Sequence, residues 1–498
     1  MDMTGQTFHD VLVSAWNSTT PFLNWALVIF IAFISWASAL HALLNKRDPR
    51  AAFAWIGFCL LFPPLGPLLY FLFGINRVQT QGQRLGGALT LLLRSDSEAA
   101  EELSRQEPSF PSSAPEPYRA IIRLADRITN LRLLGGNRVE PLEHGEQAFP
   151  AMLDAINGAR RRLYLSTYIM DSDTTGRAFI AALKDAVGRG VDVRVILDGV
   201  GEYYSFPRAG TLLKRARVPV ARFLPPKLLP PSLFINLRNH CKILVADGKV
   251  GFTGGMNIGD RHLAADASNP ARVEDLHFRV SGPVVTQMEQ VFLAHWSFCT
   301  GTQIPVPVET NGETEGEALC RVIVDGPNDD MDILSIIFTG AVAAARHRVF
   351  IMTPYFLPSR DFIGALQTAA LRGVDVRVIL PSKNNLPYVK WASDNMLWQL
   401  LQQGVRIYYQ PPPFVHSKIF LVDDLYAVVG SANLDPRSLR LNFELVLEIF
   451  DASLNRTLAD KFLQALSKSR ETSLAEMDGR PLLVQIRDSF CWLFSPYL

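Results

Sequence analysis

The sequence predicts an α/β protein built from two similar α/β/α halves related by a pseudo-two-fold axis and preceded by a pair of N-terminal membrane-embedded helical segments. Three observations predict this. Phe22 to Leu44 and Ala51 to Ile75 contain no Asp, Glu, Lys or Arg. The phrase Arg189-Gly190-Val191-Asp192-Val193-Arg194-Val195-Ile196-Leu197 recurs without change as Arg372-Gly373-Val374-Asp375-Val376-Arg377-Val378-Ile379-Leu380. Each copy is preceded by a helical pattern (Phe179, Ile180, Leu183, Val187; Phe362, Ile363, Leu366, Ala370) and, before that, by a strand-like run (163–169; 349–356).

A chain of 498 residues exceeds what one core usually organises, so at least two packed units are expected. Each uncharged stretch is long enough for a bilayer core, which takes roughly 20 apolar residues. Nothing basic precedes the first stretch and a second follows almost at once, which argues against a cleaved signal peptide. The basic loop around Lys46, Arg47 and Arg50 belongs in the cytoplasm by the positive-inside rule, yet Arg77, Arg84 and Arg94 place positive charge beyond the second stretch as well. Pro63-Pro64-Leu65-Gly66-Pro67 interrupts that stretch, which is then either a kinked span or a re-entrant hairpin. The anchor is therefore expected to be multi-pass or a hairpin. Five cysteines do not form the dense even framework of a small secreted domain and favour a reducing compartment.

The expected order is a tail over 1–20, membrane segments at about 22–44 and 51–75 within 21–76, and a Ser/Glu/Pro-rich linker over 77–119. A first half over 120–301, with its motif at 234–260, is followed by a polar connector over 302–318. A second half with a C-terminal tail fills 319–498, its motif at 410–437. Strand, helix, strand in each half implies parallel pairing. Two similar halves pack about a pseudo-two-fold, and their seam is where a shared site belongs.

Each half carries a His-x-Lys followed by an Asp: His240, Lys242 and Asp247, then His416, Lys418 and Asp423. Residues two apart on a strand share a face, so each imidazole sits beside an ammonium. The Asp stands at a turn in both halves and fits bracing a hairpin better than touching phosphate. Ten residues past each Asp comes an Asn, Asn257 or Asn433, which a hairpin returns to its His and Lys. Two Lys and two Asn suit the non-bridging oxygens of a phosphodiester. Two histidines divide the roles of nucleophile and general acid. A carboxylate behind the other ring nitrogen fixes the tautomer, and Asp275 and Glu444 stand at matching places for it. No metal is expected, because a Lys beside each His repels a divalent cation, and no cofactor is expected either. The formal net charge of +1 and 19% charged residues exclude a polycation that coats nucleic acid.

From about residue 120 to 498 these motifs resemble the phospholipase D superfamily. The closer resemblance is to the bacterial cardiolipin synthases, carried by the stretches from Asn239-His240 to Gly259-Asp260 and from Gly430-Ser431-Ala432-Asn433 to Glu444, with the two apolar segments around Lys46-Arg47-Asp48-Pro49-Arg50. Cys241 and Val273 depart from that pattern, where a basic and an aromatic residue are usual. Neither position carries a reacting group. The resemblance implies a bacterial inner-membrane enzyme that joins two phosphatidylglycerol molecules into cardiolipin and glycerol through a phosphohistidine, with His240 as nucleophile and His416 as acid. A phospholipase D hydrolase, and a transferase taking phosphatidylethanolamine as second donor, are the alternatives. A nucleic-acid phosphodiesterase is the more remote one.

Overall fold

The structure, a computed structural model, describes residues 8–46, 49–74, 115–129, 131–226, 237–302, 304, 314–326 and 332–495. Most of the expected linker and much of the expected connector lie outside the described residues, as do Arg47 and Asp48. The chain forms two compact units, Met1–Thr80 and Gln81–Leu498.

In the first unit helix α1 (Phe8–Asn45) includes Asn24–Asn45, which is long and apolar enough to cross a membrane. Helix α2 (Pro49–Leu61) opens on a proline, where the missing N–H has no partner to lose. Its 13 residues rise only about 20 Å, short of a bilayer core. The chain then turns at Phe62–Pro64 into α3 (Leu65–Leu69) and a π-turn at Tyr70–Gly74. A Cβ on Gly66 would lie 2.3 Å from the Phe58 carbonyl oxygen, so the fold-back needs glycine there. Ala39, Ala42, Cys59 and Tyr70 bury one another, and Tyr70 Oη lies 2.8 Å from His41 Nδ1. The expected pair of membrane segments is thus one helix long and apolar enough to span and a shorter broken one, and a multi-pass anchor is not supported. The cause is the run of prolines, which removes the N–H groups a continuous helix needs.

The second unit begins with α4 (Glu116–Ile128), inside the stretch assigned to linker. Its Ile121, Ile122 and Ala125 pack with Ile337, Phe338 and Ala341 of the second half, not the first. The first half follows as β1 (Leu134–Glu143), α5 (His144–Gly158), β2 (Arg162–Thr167), α6 (Thr174–Gly188), β3 (Asp192–Asp198), α7 (Ala209–Arg215) and β4 (Val220–Phe223). It is completed by β5 (Ile243–Ala246), β6 (Val250–Gly254), β7 (Val273–Glu274), β8 (Leu276–Ser281) and α8 (Val284–Thr300). The second half repeats this with β9 (Ala318–Asp325), α9 (Ile333–Ala344), β10 (Arg348–Met352), α10 (Arg360–Leu371), β11 (Asp375–Pro381), α11 (Pro387–Asp394), α12 (Trp398–Leu401) and β12 (Arg406–Gln410). Then come β13 (Phe414–Val415), β14 (Ile419–Val422), β15 (Tyr426–Gly430), α13 (Pro436–Arg440), β16 (Glu444–Phe450), α14 (Ala452–Ser467), β17 (Arg470–Thr472), α15 (Leu474–Asp478) and α16 (Leu482–Trp492).

One 15-stranded sheet carries both halves, so they form a single packed unit. Outward from its middle the order is β1-β8-β6-β5-β2-β3-β4 on one side and β9-β16-β15-β14-β10-β11-β12-β17 on the other. The repeat is therefore a pseudo-two-fold about the antiparallel β1·β9 pair, where Asn137 opposes Ala318. The repeated phrase forms β3 and β11, each parallel to the strand before it in the chain, β2 or β10: Arg162 opposes Asp192 and Arg348 opposes Asp375. The alternation of residue types puts Val193, Val195 and Leu197 against Phe179 and Leu183 of α6, while Ile196 joins the layer that holds α8.

Candidate active site

Each motif histidine is hung from the backbone of the opposite half. Asn239 bridges to Phe443 in parallel fashion, with His240 N–H donating to the Phe443 carbonyl at 2.9 Å and Phe443 N–H to Arg238 at 2.8 Å. Symmetrically, β13 pairs with β7, and His416 N–H donates to the Glu274 carbonyl at 2.7 Å.

The carboxylates cross over as well. His240 Nδ1 lies 2.9 Å from Glu444 Oε2, and His416 Nδ1 lies 2.8 Å from Asp275 Oδ2. Both predicted carboxylates are therefore behind an imidazole, each that of the other half. A carboxylate at Nδ1 takes the N–H there and leaves the Nε2 lone pair of a neutral ring for chemistry. The two half-sites are not copies. Glu444 also accepts from Ser431 Oγ at 2.5 Å and from Asn442 Nδ2 at 3.2 Å. At the place of Ser431 the first half has Gly255, where a Cβ would lie 2.5 Å from Asp275 Oδ1. Asp275 accepts instead from the Leu276 N–H at 2.8 Å.

Lys242 Nζ donates to the His240 carbonyl at 2.8 Å and Lys418 Nζ to the His416 carbonyl at 2.5 Å. Lys418 Nζ also stands 2.9 Å from Nδ1 and 3.2 Å from Nε2 of His416. Burial, and the second lysine nearby, bring the Lys242 ammonium down to about 7; burial brings Lys418 to about 8. Burial first, and Lys418 second, hold His416 down to about 4, and burial also lowers His240 against the pull of Glu444. Burial pushes both carboxylates up, but their cationic and imidazole neighbours prevail and keep Asp275 and Glu444 below the usual range. Two neutral imidazoles, two carboxylates already engaged and two buried ammonium groups suit an anion better than a cation.

Asn257 accepts from the Ile169 N–H at 3.3 Å, and its own N–H donates to buried His262 Nε2 at 3.3 Å. Asn433 donates to Ser438 Oγ at 3.2 Å, and its buried Oδ1 has no partner among the described residues. The structure does not bring Asp247 and Asp423 to the histidines. Asp247 accepts three backbone N–H groups, from Arg160, Arg161 and Arg162 at 2.7–3.0 Å. Asp423 does the same for Arg346, His347 and Arg348. These two residues, with φ of +54° and +52° at the hairpin turns, use their carboxylates to tie β5 to β2 and β14 to β10.

Several residues carry no signal in the motifs. Asp198, at the end of β3, receives the Asn239 N–H at 2.9 Å and the Arg238 guanidinium at 3.1 Å, which fixes the segment before His240. Tyr168 sets its ring 5.3 Å from that of His240, and Tyr355 lies 6.3 Å from His416. Both tyrosines follow first strands of the repeat, β2 and β10, and that shared place is the one clue the sequence offers.

Residues 152–296 and 339–466 match the family model described as cardiolipin synthase, phospholipase D-like domain, and residues 22–74 match the phospholipase D-nuclease N-terminal family. Among curated relatives, a cardiolipin synthase of Geobacillus thermodenitrificans is 32% identical over 95% of this chain and 92% of its own. Cardiolipin synthase A of Pseudomonas fluorescens is 31% identical over 95% of this chain and 98% of its own. The crystal structure of phosphatidylserine synthase from Haemophilus influenzae Rd KW20 superposes with a TM-score of 0.58 at 15% identity, covering 77% of this chain and 100% of that one, which shows a shared fold. With two crossed histidine–carboxylate pairs in a duplicated sheet and these matches along nearly its whole length, the chain belongs to the phospholipase D-like cardiolipin synthase family.

Proposed function

We propose that the protein is a phosphatidyltransferase that makes cardiolipin and glycerol from two molecules of phosphatidylglycerol at a bacterial inner membrane. The crossed pairing of His240 with Glu444 and His416 with Asp275, closed over Lys242 and Lys418, carries this reading. In the first step His240 Nε2 attacks phosphorus, an N–P bond forms, and the bond from phosphorus to glycerol oxygen breaks as His416 gives that oxygen a proton. The diester anion between the two lysines offsets the cationic bias against protonating His416, so the acid charges in the complex. Lys242, Lys418, Asn257 and Asn433 meet the non-bridging oxygens as charge develops. In the second step a glycerol hydroxyl of another phosphatidylglycerol attacks, His416 takes its proton back, and the N–P bond breaks. One phosphodiester is made for each one broken, so no activated nucleotide or other cofactor enters.

The test is incubation of the purified protein with phosphatidylglycerol alone, followed by lipid and glycerol analysis. Glycerol accumulates one for one with cardiolipin, and added glycerol drives the reaction back. Phosphatidic acid as the dominant product, with cardiolipin absent, identifies a hydrolase instead.

A further inference from the structure

The C-terminal helix α16 carries an apolar stripe with no partner among the described residues. Leu482, Leu483, Ile486 and Phe490 are exposed, Leu483 by 80%, and Leu493 and Phe494 continue the stripe just past the helix end. At about 3.6 residues per turn these six positions fall within an arc of about 120°. The helix is fastened down on the opposite side by Asp488 and on its flanks by Arg487 and Ser489. Asp488 is fully buried and accepts from Arg480 at 2.5 Å and from Arg487 at 2.7 Å. The Arg487 guanidinium lies 4.3 Å from the Trp391 ring centre on α11, and Ser489 Oγ lies 2.9 Å from Asn395 Oδ1. The stripe faces outward on a helix held in place.

The segment leading into α11 is also tied to the site. Just before α11, Asn385 accepts from the Tyr355 hydroxyl at 2.8 Å, and Tyr355 is the ring beside His416. Across the mouth, Tyr168 beside His240 meets Tyr204 at 6.2 Å, in a turn that also holds Tyr203 and a Phe206 that is 95% exposed. Apart from Leu371, Trp398 and Leu463, the exposed large apolar side chains described in this unit lie in α16 and its end, in that turn, or at Tyr388 of α11. The turn lies next to the ring beside His240, and α16 packs on the element that follows Asn385, the partner of the ring beside His416.

We propose that α16 lies in the plane of a bilayer surface, its apolar stripe below the headgroups, and seats the mouth of the two-histidine site on the lipid it draws from. An amphipathic helix with arginine on its flank is the form such in-plane segments take. A second copy seated on this surface would cover the mouth, whereas a bilayer supplies it. Asn24–Asn45 of α1 is long and apolar enough to hold the chain at a membrane, in which case weak attachment by α16 is enough. The inference rests on the reading that the substrate is a bilayer lipid.

The test places p-benzoylphenylalanine in place of Phe490 in the full chain, reconstituted in vesicles of phosphatidylglycerol and phosphatidylcholine, and irradiates. An adduct of lipid mass is expected; capture of another part of the chain or of a second copy overturns the proposal. Photocapture needs no turnover, so lipid capture by a protein that makes no cardiolipin would leave this inference standing while the proposed function failed. In a second arm Leu483→Glu with Phe490→Glu slows turnover of bilayer phosphatidylglycerol about tenfold, while turnover of a monomeric short-chain phosphatidylglycerol changes less than about threefold. Equal loss on both substrates, in a variant with an unchanged unfolding temperature, overturns it too.

Discussion

The lysines set the working pH of the proposed site. Each is buried beside its histidine, Lys242 at about 7 and Lys418 at about 8, whereas an exposed lysine holds its proton far higher. Below those values both carry the charge that meets phosphate; as pH rises through them the charge is lost. On the acid side His416 stays neutral down to about 4, and Asp275 and Glu444 stay ionised. We therefore expect kcat/KM for phosphatidylglycerol, which reports the free enzyme, to fall as pH rises above about 4, where His416 loses the proton it must give, and more steeply through 7 to 8 as the lysine charge goes. A profile flat to pH ~9 in mixed micelles would show that neither lysine charge is used.

At the level of elements, Asp247 and Asp423 do mechanical work in paired places. Each carboxylate gathers three consecutive backbone N–H groups at the start of the neighbouring strand. Asp423→Ala leaves those groups without an acceptor in a largely buried turn, which is expected to cost roughly 2–4 kcal/mol and to lower the unfolding temperature. The protein that remains folded keeps its turnover within about threefold, measured below the lowered transition. Loss of turnover with no loss of stability would return Asp423 to the chemistry. The hairpins, their turns and the return of the Asn were legible because a two-residue period and a fixed spacing repeat in both halves. The break of the second apolar stretch was legible as a break, but not as a helix too short to span, since hydropathy measures composition and not where the N–H groups run out. Tyr168 and Tyr355 escaped because they sit one residue out of step in the repeat and no period marks them.

Across the whole molecule, the crossing of carboxylates was the feature sequence could not deliver. Spacing along one half says nothing about the register in which two halves meet, and that register is fixed by β1·β9 and by the pairings of Asn239 with Phe443 and of β7 with β13. A crossed phenotype follows. Glu444→Gln, in the second half, removes the acceptor behind His240 in the first and should depress formation of a phosphatidyl-His240 adduct by on the order of 10²-fold or more in rapid-quench mass spectrometry. Asp275→Asn should act through His416, the proposed acid, so its loss should be large with glycerol as the leaving group and small with p-nitrophenolate, which leaves without a proton. If each substitution disturbed only the histidine of its own half, the reading of the site as shared would fall.

The single continuous sheet also lets the two half-sites stop being equivalent. In an assembly of two identical subunits, any residue that tunes one imidazole is present beside the other, and both must titrate alike. Carried on one polypeptide, the halves hold Glu444 with Ser431 on one side and Asp275 with Gly255 on the other. Fusion thus breaks the symmetry of the chemistry while keeping the symmetry of the scaffold, and a division of labour between two histidines becomes heritable one substitution at a time.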